Sequence, residues 1–201
     1  MAKIESEDSY LQDILKDKLY YQIPIYQRPY QWTEENCEKL LDDLFFNYED
    51  DRESDYFCGS LVLVKSDPNS KTATYDIVDG QQRLSTFILL AKVLSALYNG
   101  LDPEYLEYLQ ESWKDRYTER KRLSFNTIGS NAEYDFQDAL EHFNDSQASK
   151  NKIIENNYLK NAICLKTISR KKRLKTLTIS LSGCIVMSYL SPSLALMQTK
   201  R

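Results

Sequence analysis

The clearest periodic signal in the chain lies at 81–98. Leu84, Phe87, Ile88, Ala91, Leu94, Leu97 and Tyr98 recur at the spacing of one helix face, and Asn99-Gly100 supplies a stop. A second stripe, Cys37, Leu40, Leu41, Leu44 and Phe45, follows Thr33. Thr33 suits an N-cap, with Glu34 and Glu35 in the first turn, where the helix dipole favours acids. Leu11, Ile14, Leu15 and Leu19 predict a short amphipathic helix over 4–19. The same period predicts helices at about 103–121, 131–145 and 151–166.

Between these stripes the pattern shortens. YYQIPIY (20–26) reads as extended, because Pro24 keeps its neighbour out of the helical region. FCGSLVLVK (57–65) and TYDIV (74–78) read as strands around a turn at Asp67-Pro68-Asn69-Ser70, which makes them a hairpin. The charged stretch Asp50–Asp55 reads as a loop. The expected class is α+β: a small sheet with helices on one face, followed by a helical lobe. In domain terms this is a core over 1–100, a helical extension over 101–165 and a tail over 166–201.

Composition narrows the class. With 42% hydrophobic and 28% charged residues, the chain can bury a core and is not a disordered polymer. The opening MAKIESEDSY is polar and is not a signal peptide. Cys37, Cys58, Cys164 and Cys184 form no CxxC pair, and none neighbours His142, the single histidine. A zinc site or a Cys-His nucleophile therefore has no local support, and reduced thiols of a cytoplasmic protein are expected. The 15 tyrosines would serve base stacking only if they gathered on one face.

Candidate chemistry sits in two stretches. In YDIVDGQQRLSTF (75–87) an acid, a glycine, two amides and a guanidinium occupy the joint between a strand and a helix. A helix start exposes unpaired N–H groups with partial positive charge. Gly80 would let a ligand approach that backbone, and Arg83 could fork onto a phosphate. Gln81 and Gln82 could orient a water, and Asp79 could hold a divalent cation or take a proton. The plain alternative is equally open: Asp79 as an N-cap, Gly80 as a turn, Arg83 merely solvated. In IPIYQRPYQW (23–32), Tyr26, Tyr30 and Trp32 surround Gln27 and Arg28, with Pro24 and Pro29 as stiffeners. Arg28 would be a second phosphate clamp beside an aromatic wall. Alternatively the aromatics pack on the core and Arg28 pairs with a surface acid. The phosphate loop G-x-x-x-x-G-K-[ST] is absent.

Taken in order, IPIYQRPYQW, YFCGSLVLV (56–64) and IVDGQQRLSTF resemble the N-terminal domain of GmrSD-type proteins, itself similar to the ParB/sulfiredoxin fold. The resemblance implies a module that binds and hydrolyses a nucleoside triphosphate in modification-dependent restriction and anti-phage defence, and Mg²⁺ would be the divalent cation at Asp79. It also implies an HNH-type nuclease domain or subunit as partner, through which modified DNA would be met. By position, Tyr26, Gln27, Arg28 and Tyr30 match the first motif, and Asp79, Gly80, Gln81, Gln82 and Arg83 the second. In ParB-like relatives the G-x-x-R core, here Gly80 and Arg83, contacts phosphates. Of these nine, the chemistry of the side chains makes Asp79 and Gln82 the catalytic candidates, through metal or water positioning, and the other seven are expected to be nucleotide-binding. NNYLKNAI (156–163) resembles a helix of the family.

The resemblance is expected to end near 165. The family's L-N-x-R-G segment and an HNH signature are absent, so no nuclease activity is expected from this chain alone. Net charge is −12 over 1–165 and +8 beyond, with no acid after Glu155. RKKRLK (170–175) precedes 22 uncharged residues, 176–197. That length approaches a membrane span, but seven Ser or Thr, Gly183 and Pro192 argue against one. A basic nucleic-acid patch, or a shifted or truncated reading frame, are the other readings of the tail. The competing functions are a non-enzymatic ParB-like DNA-binding or regulatory module and an inactive remnant.

Overall fold

The computed structural model describes residues 5–16, 19–50, 55–67, 73–97, 103–126, 131–145, 155–171 and 184–190. In chain order its elements are β1 (Glu5–Tyr10), α1 (Leu11–Ile14), β2 (Leu19–Ile23), α2 (Glu34–Asp50), β3 (Tyr56–Lys65) and β4 (Ala73–Asp79). These are followed by α3 (Gln81–Leu97), α4 (Pro103–Glu111), β5 (Leu123–Phe125), α5 (Ala132–His142), α6 (Asn157–Lys171) and β6 (Cys184–Leu190). The class is α+β, as expected.

One mixed sheet carries the strands in the order β1-β6-β3-β4-β2-β5. The expected hairpin is present: β3 and β4 pair antiparallel, with Leu63 opposite Ile77. Strands β4, β2 and β5 run parallel, with Tyr21 between Tyr75 and Leu123. Their C-terminal ends therefore open on the same edge. Side chains alternate across each strand. Tyr21, Leu63, Ile77 and Leu123 bury themselves in the cluster shared with Phe87, Ile88, Phe136 and Leu165 of the helices. On the opposite face, Gln22 donates to Asp76 at 3.2 Å and Arg120 lies over the Tyr20 ring at 3.9 Å.

Helix α3 is the central helix, buried on nearly every side. An all-round apolar helix must be enclosed by other elements. Here α4, α5 and α6 supply the enclosure. Helix α2 starts after Thr33 as expected, but the Thr33 side chain does not cap it. Asn36 Oδ1 instead accepts the Thr33 N–H at 2.9 Å and its hydroxyl at 3.1 Å.

Three expectations need correction. The helix expected over 4–19 is a strand, β1, followed by the single turn α1. The polar 5–10 stretch finds its backbone partners in antiparallel β6. Its acids are tolerable because β1 is an edge strand. Leu11, Ile14 and Leu15 are buried nonetheless. The helix expected over 103–121 ends at Glu111. Asp115 accepts the N–H groups of Tyr117 and Thr118 at 2.9 and 2.7 Å, which closes a turn that competes with helix. Arg122, fully buried, then donates to the carbonyls of Glu111, Lys16 and Leu19 and fixes the start of β5. Finally, the segment beyond 100 is not helical throughout: it adds β5 to the sheet, and its helices share the same hydrophobic cluster. The turn residues 68–70, the stop at 99–100, and most of the tail (172–183 and 191–201) lie outside the described residues.

Candidate functional site

The two chemically suggestive stretches meet at the edge where β2 and β4 end. Gln27 Nε2 donates to the carbonyls of Ile77 at 3.0 Å and Val78 at 2.7 Å, so the first loop is tied to the last residues of β4. Gln81, 6% exposed, donates to the carbonyl of Arg28 at 2.7 Å. Gln82, 7% exposed, uses both ends of its amide. Oε1 accepts the N–H groups of Gln31 at 2.8 Å and Trp32 at 3.2 Å, and Nε2 donates to the Pro29 carbonyl at 3.2 Å. Buried amides must be satisfied, and these are satisfied by loop backbone. Gln81 and Gln82 thus hold the loop 28–32 on the head of α3, and Gln27 ties its start to β4.

Tyr30 anchors the loop from inside. It is 7% exposed and stacks on Tyr158 at 4.1 Å between centroids. Its hydroxyl contacts Thr86 Oγ1 at 2.7 Å and accepts from Asn161 Nδ2 at 3.0 Å, while Thr86 donates onward to the Gln82 carbonyl at 2.8 Å. Because Thr86 gives its proton to that carbonyl, the Tyr30 hydroxyl is the donor to Thr86. Burial pushes the Tyr30 phenol well above its ordinary pKa. Asn161 also donates to the Trp32 carbonyl at 2.8 Å. Tyr30 is therefore a core residue, whereas Tyr26 is 52% exposed, its pKa raised first by partial burial and then by Asp76.

Gly80 and Arg83 face β3. Gly80 has φ +93°, and a Cβ there would stand 2.9 Å from the Ser60 carbonyl oxygen. The glycine is needed for the crossing of β3, in a backbone region that L side chains avoid. Arg83 lies along the irregularity of β3 between Phe57 and Gly59, donating to the carbonyls of Cys58 at 3.3 Å and Ser60 at 2.7 Å. Arg83 and Gly80 line a cavity of about 10 Å³, room for a single water. Arg28 does not line it, so the two arginines do not share that cavity. Arg28 and Asp79 are exposed, and neither side chain has a hydrogen-bond or ion-pair partner among the described residues.

Residues 11–195 match the family model described as GmrSD restriction endonuclease, N-terminal domain. This chain belongs to that family. No protein of curated function matches it. The GmrSD match runs 30 residues past the end expected near 165, through α6 and β6. The chain is thus a module of a restriction, or defence, system, a setting in which a nuclease part is the usual companion. Among the described residues no helix is long and apolar enough to cross a membrane, and no group of three or more His, Cys, Asp or Glu gathers as a metal site.

Several residues that build this candidate site are not singled out by sequence chemistry. Asn157, Tyr158 and Asn161 clasp the loop from α6, and Thr86 does so from α3. The likeness of NNYLKNAI to a family helix is the signal that could have found the first three. Gly59, inside a strand, is the standard mark of a bulge.

Proposed function

We propose that this GmrSD N-terminal domain binds a nucleoside triphosphate at the C-terminal ends of β2 and β4 and hydrolyses it. One observation carries the reading. The neutral side chains Gln27, Gln81 and Gln82 are committed to holding backbone, while Arg28 and Asp79 stand exposed beside the first turn of α3. Ligands of open sheets gather at strand C-termini, and helix heads favour anions.

Arg28 is the phosphate clamp, because a guanidinium holds two oxygens at once and keeps its charge at every physiological pH. Asp79 is the catalytic carboxylate. It takes a proton from the attacking water, or it contributes one oxygen to Mg²⁺. A single carboxylate suits Mg²⁺, which draws its remaining ligands from phosphates and water, and the ion would neutralise phosphate charge there. Gln82 acts through the loop it holds. Gln27 and Gln81 do the same, Arg83 fixes β3 against α3, and Tyr26 forms the outer wall. The fold is read as ParB/sulfiredoxin-like, and the partner as an HNH-type nuclease that meets modified DNA. The −12 charge over 1–165 suits a body that leaves DNA to that partner.

The test is a calorimetric screen of ATP, GTP, CTP and UTP with and without Mg²⁺, followed by phosphate release. The reading expects at least one triphosphate to bind, and Asp79→Ala to slow turnover about a hundredfold, in the range for a lost general base, with little loss of affinity. Binding of none of the four would end it.

A further inference from the structure

We infer that the groove between the heads of α2 and α6 receives the base of the nucleotide whose phosphates sit at Arg28. The inference rests on the nucleotide reading above. The groove has a volume of about 380 Å³, in the range of small-ligand sites. It lies beside the loop that Gln82 and Asn161 hold.

Its lining is that of a base site and not of a phosphate site. Half-buried Trp32 lines the groove, and an indole is the kind of surface on which any base stacks. Gln31 and Asn157 contribute amides, which both donate and accept. Asn157 donates one N–H to the Tyr30 carbonyl at 3.4 Å, and its Oδ1 has no partner among the described residues. Glu34 and Glu35 add acceptors and Lys160 adds a donor. Two carboxylates repel a polyphosphate, whereas a nucleobase edge presents donors and acceptors together.

The groove also stands at the right remove from the clamp. Gln31 follows Arg28 by three residues, so their backbones are at most about 10 Å apart. Both ends of that span are pinned to α3. Gln81 holds the Arg28 carbonyl at 2.7 Å, and Gln82 holds the Gln31 N–H at 2.8 Å. Clamp and groove therefore keep one fixed geometry, as a ligand with a charged tail and an aromatic head requires.

The experiment compares two probes on the full chain by calorimetry: inorganic tripolyphosphate, and the tightest of ATP, GTP, CTP and UTP. Gln31→Ala, Lys160→Ala and Trp32→Leu are the groove variants. The first two lie at or near the surface and keep the test meaningful if the third fails to fold. At least one groove variant should weaken the triphosphate about tenfold while tripolyphosphate binding stays unchanged. Arg28→Ala should weaken both probes. Groove variants that bind the triphosphate like the parent, or that weaken both probes equally, overturn the base site and leave the nucleotide reading standing. A parent chain that binds neither probe overturns both.

Discussion

The guanidinium of Arg83 occupies the space that a side chain at position 59 would need. A Cβ built on Gly59 would stand 1.7 Å from Arg83 Nη1, and Gly59 has φ +107°. The arginine of the second motif is thus seated on the backbone of β3, and the glycine two strands away in sequence is what admits it.

Gly59→Ala should therefore destabilise the domain by about 2–4 kcal/mol. Roughly 1–2 comes from the left-handed backbone and about 1–2 from displacing the hydrogen bonds of Arg83 to Cys58 and Ser60. Urea denaturation measures it. A loss below about 0.5 kcal/mol would mean that Arg83 has another seat available.

Tyr30→Phe removes one link from the chain Asn161–Tyr30–Thr86–Gln82 while keeping the stack on Tyr158. The expected cost is about 1–2 kcal/mol, one buried hydroxyl with two partners, each of which keeps another bond. The loop should loosen with it. Amide exchange at Gln31 and Trp32, whose N–H groups are held by Gln82, should quicken. Unchanged exchange there would show that Gln82 alone fixes the loop.

Stability should fall at both ends of the pH scale, for separate reasons. Asp115 is held down to about 2, chiefly by the backbone N–H of Thr118, with the Thr118 side chain, the Tyr20 hydroxyl and the Tyr117 N–H adding to it. Its contribution is complete above the ordinary carboxylate value near 4 and is lost as pH falls toward 2. Tyr21, Tyr30 and Tyr158 have phenols raised first of all by burial. Their contribution is complete below about 10 and is lost as pH rises beyond it, because the unfolded chain releases those protons first. Thermal unfolding from pH 2 to 11 checks both limbs. A melting temperature flat between pH 4 and 2 would remove Asp115 from the account.

Where apolar period and turn chemistry agreed, the sequence was sufficient. The stripe of α3, the stripe of α2 and the β3–β4 hairpin needed no tertiary information. The polar 5–10 segment became a strand only because distant β6 pairs with it, and no local pattern carries that. The end of α4 depended on how Asp115 and Arg122 are used, which periodicity cannot see. At the site, the motif residues were legible but not their division of labour. Gln81 and Gln82 have the same side chain as a water-orienting residue, and only their partners, the carbonyls and N–H groups of 28–32, make them clasps. Tyr30 and Tyr26 stand four residues apart in one motif, yet one is in the core and the other in solvent.

The central claim is that Arg28, exposed at the head of α3 and with no side-chain hydrogen-bond or ion-pair partner among the described residues, holds phosphate. The most direct measurement is the affinity of the preferred triphosphate for the parent chain and for Arg28→Ala. The account predicts a loss of about 1.5–3 kcal/mol, the range for a charge-assisted hydrogen bond, with melting temperature unchanged because the exposed side chain makes no hydrogen bond or ion pair among the described residues. Equal affinity in the two proteins would contradict it.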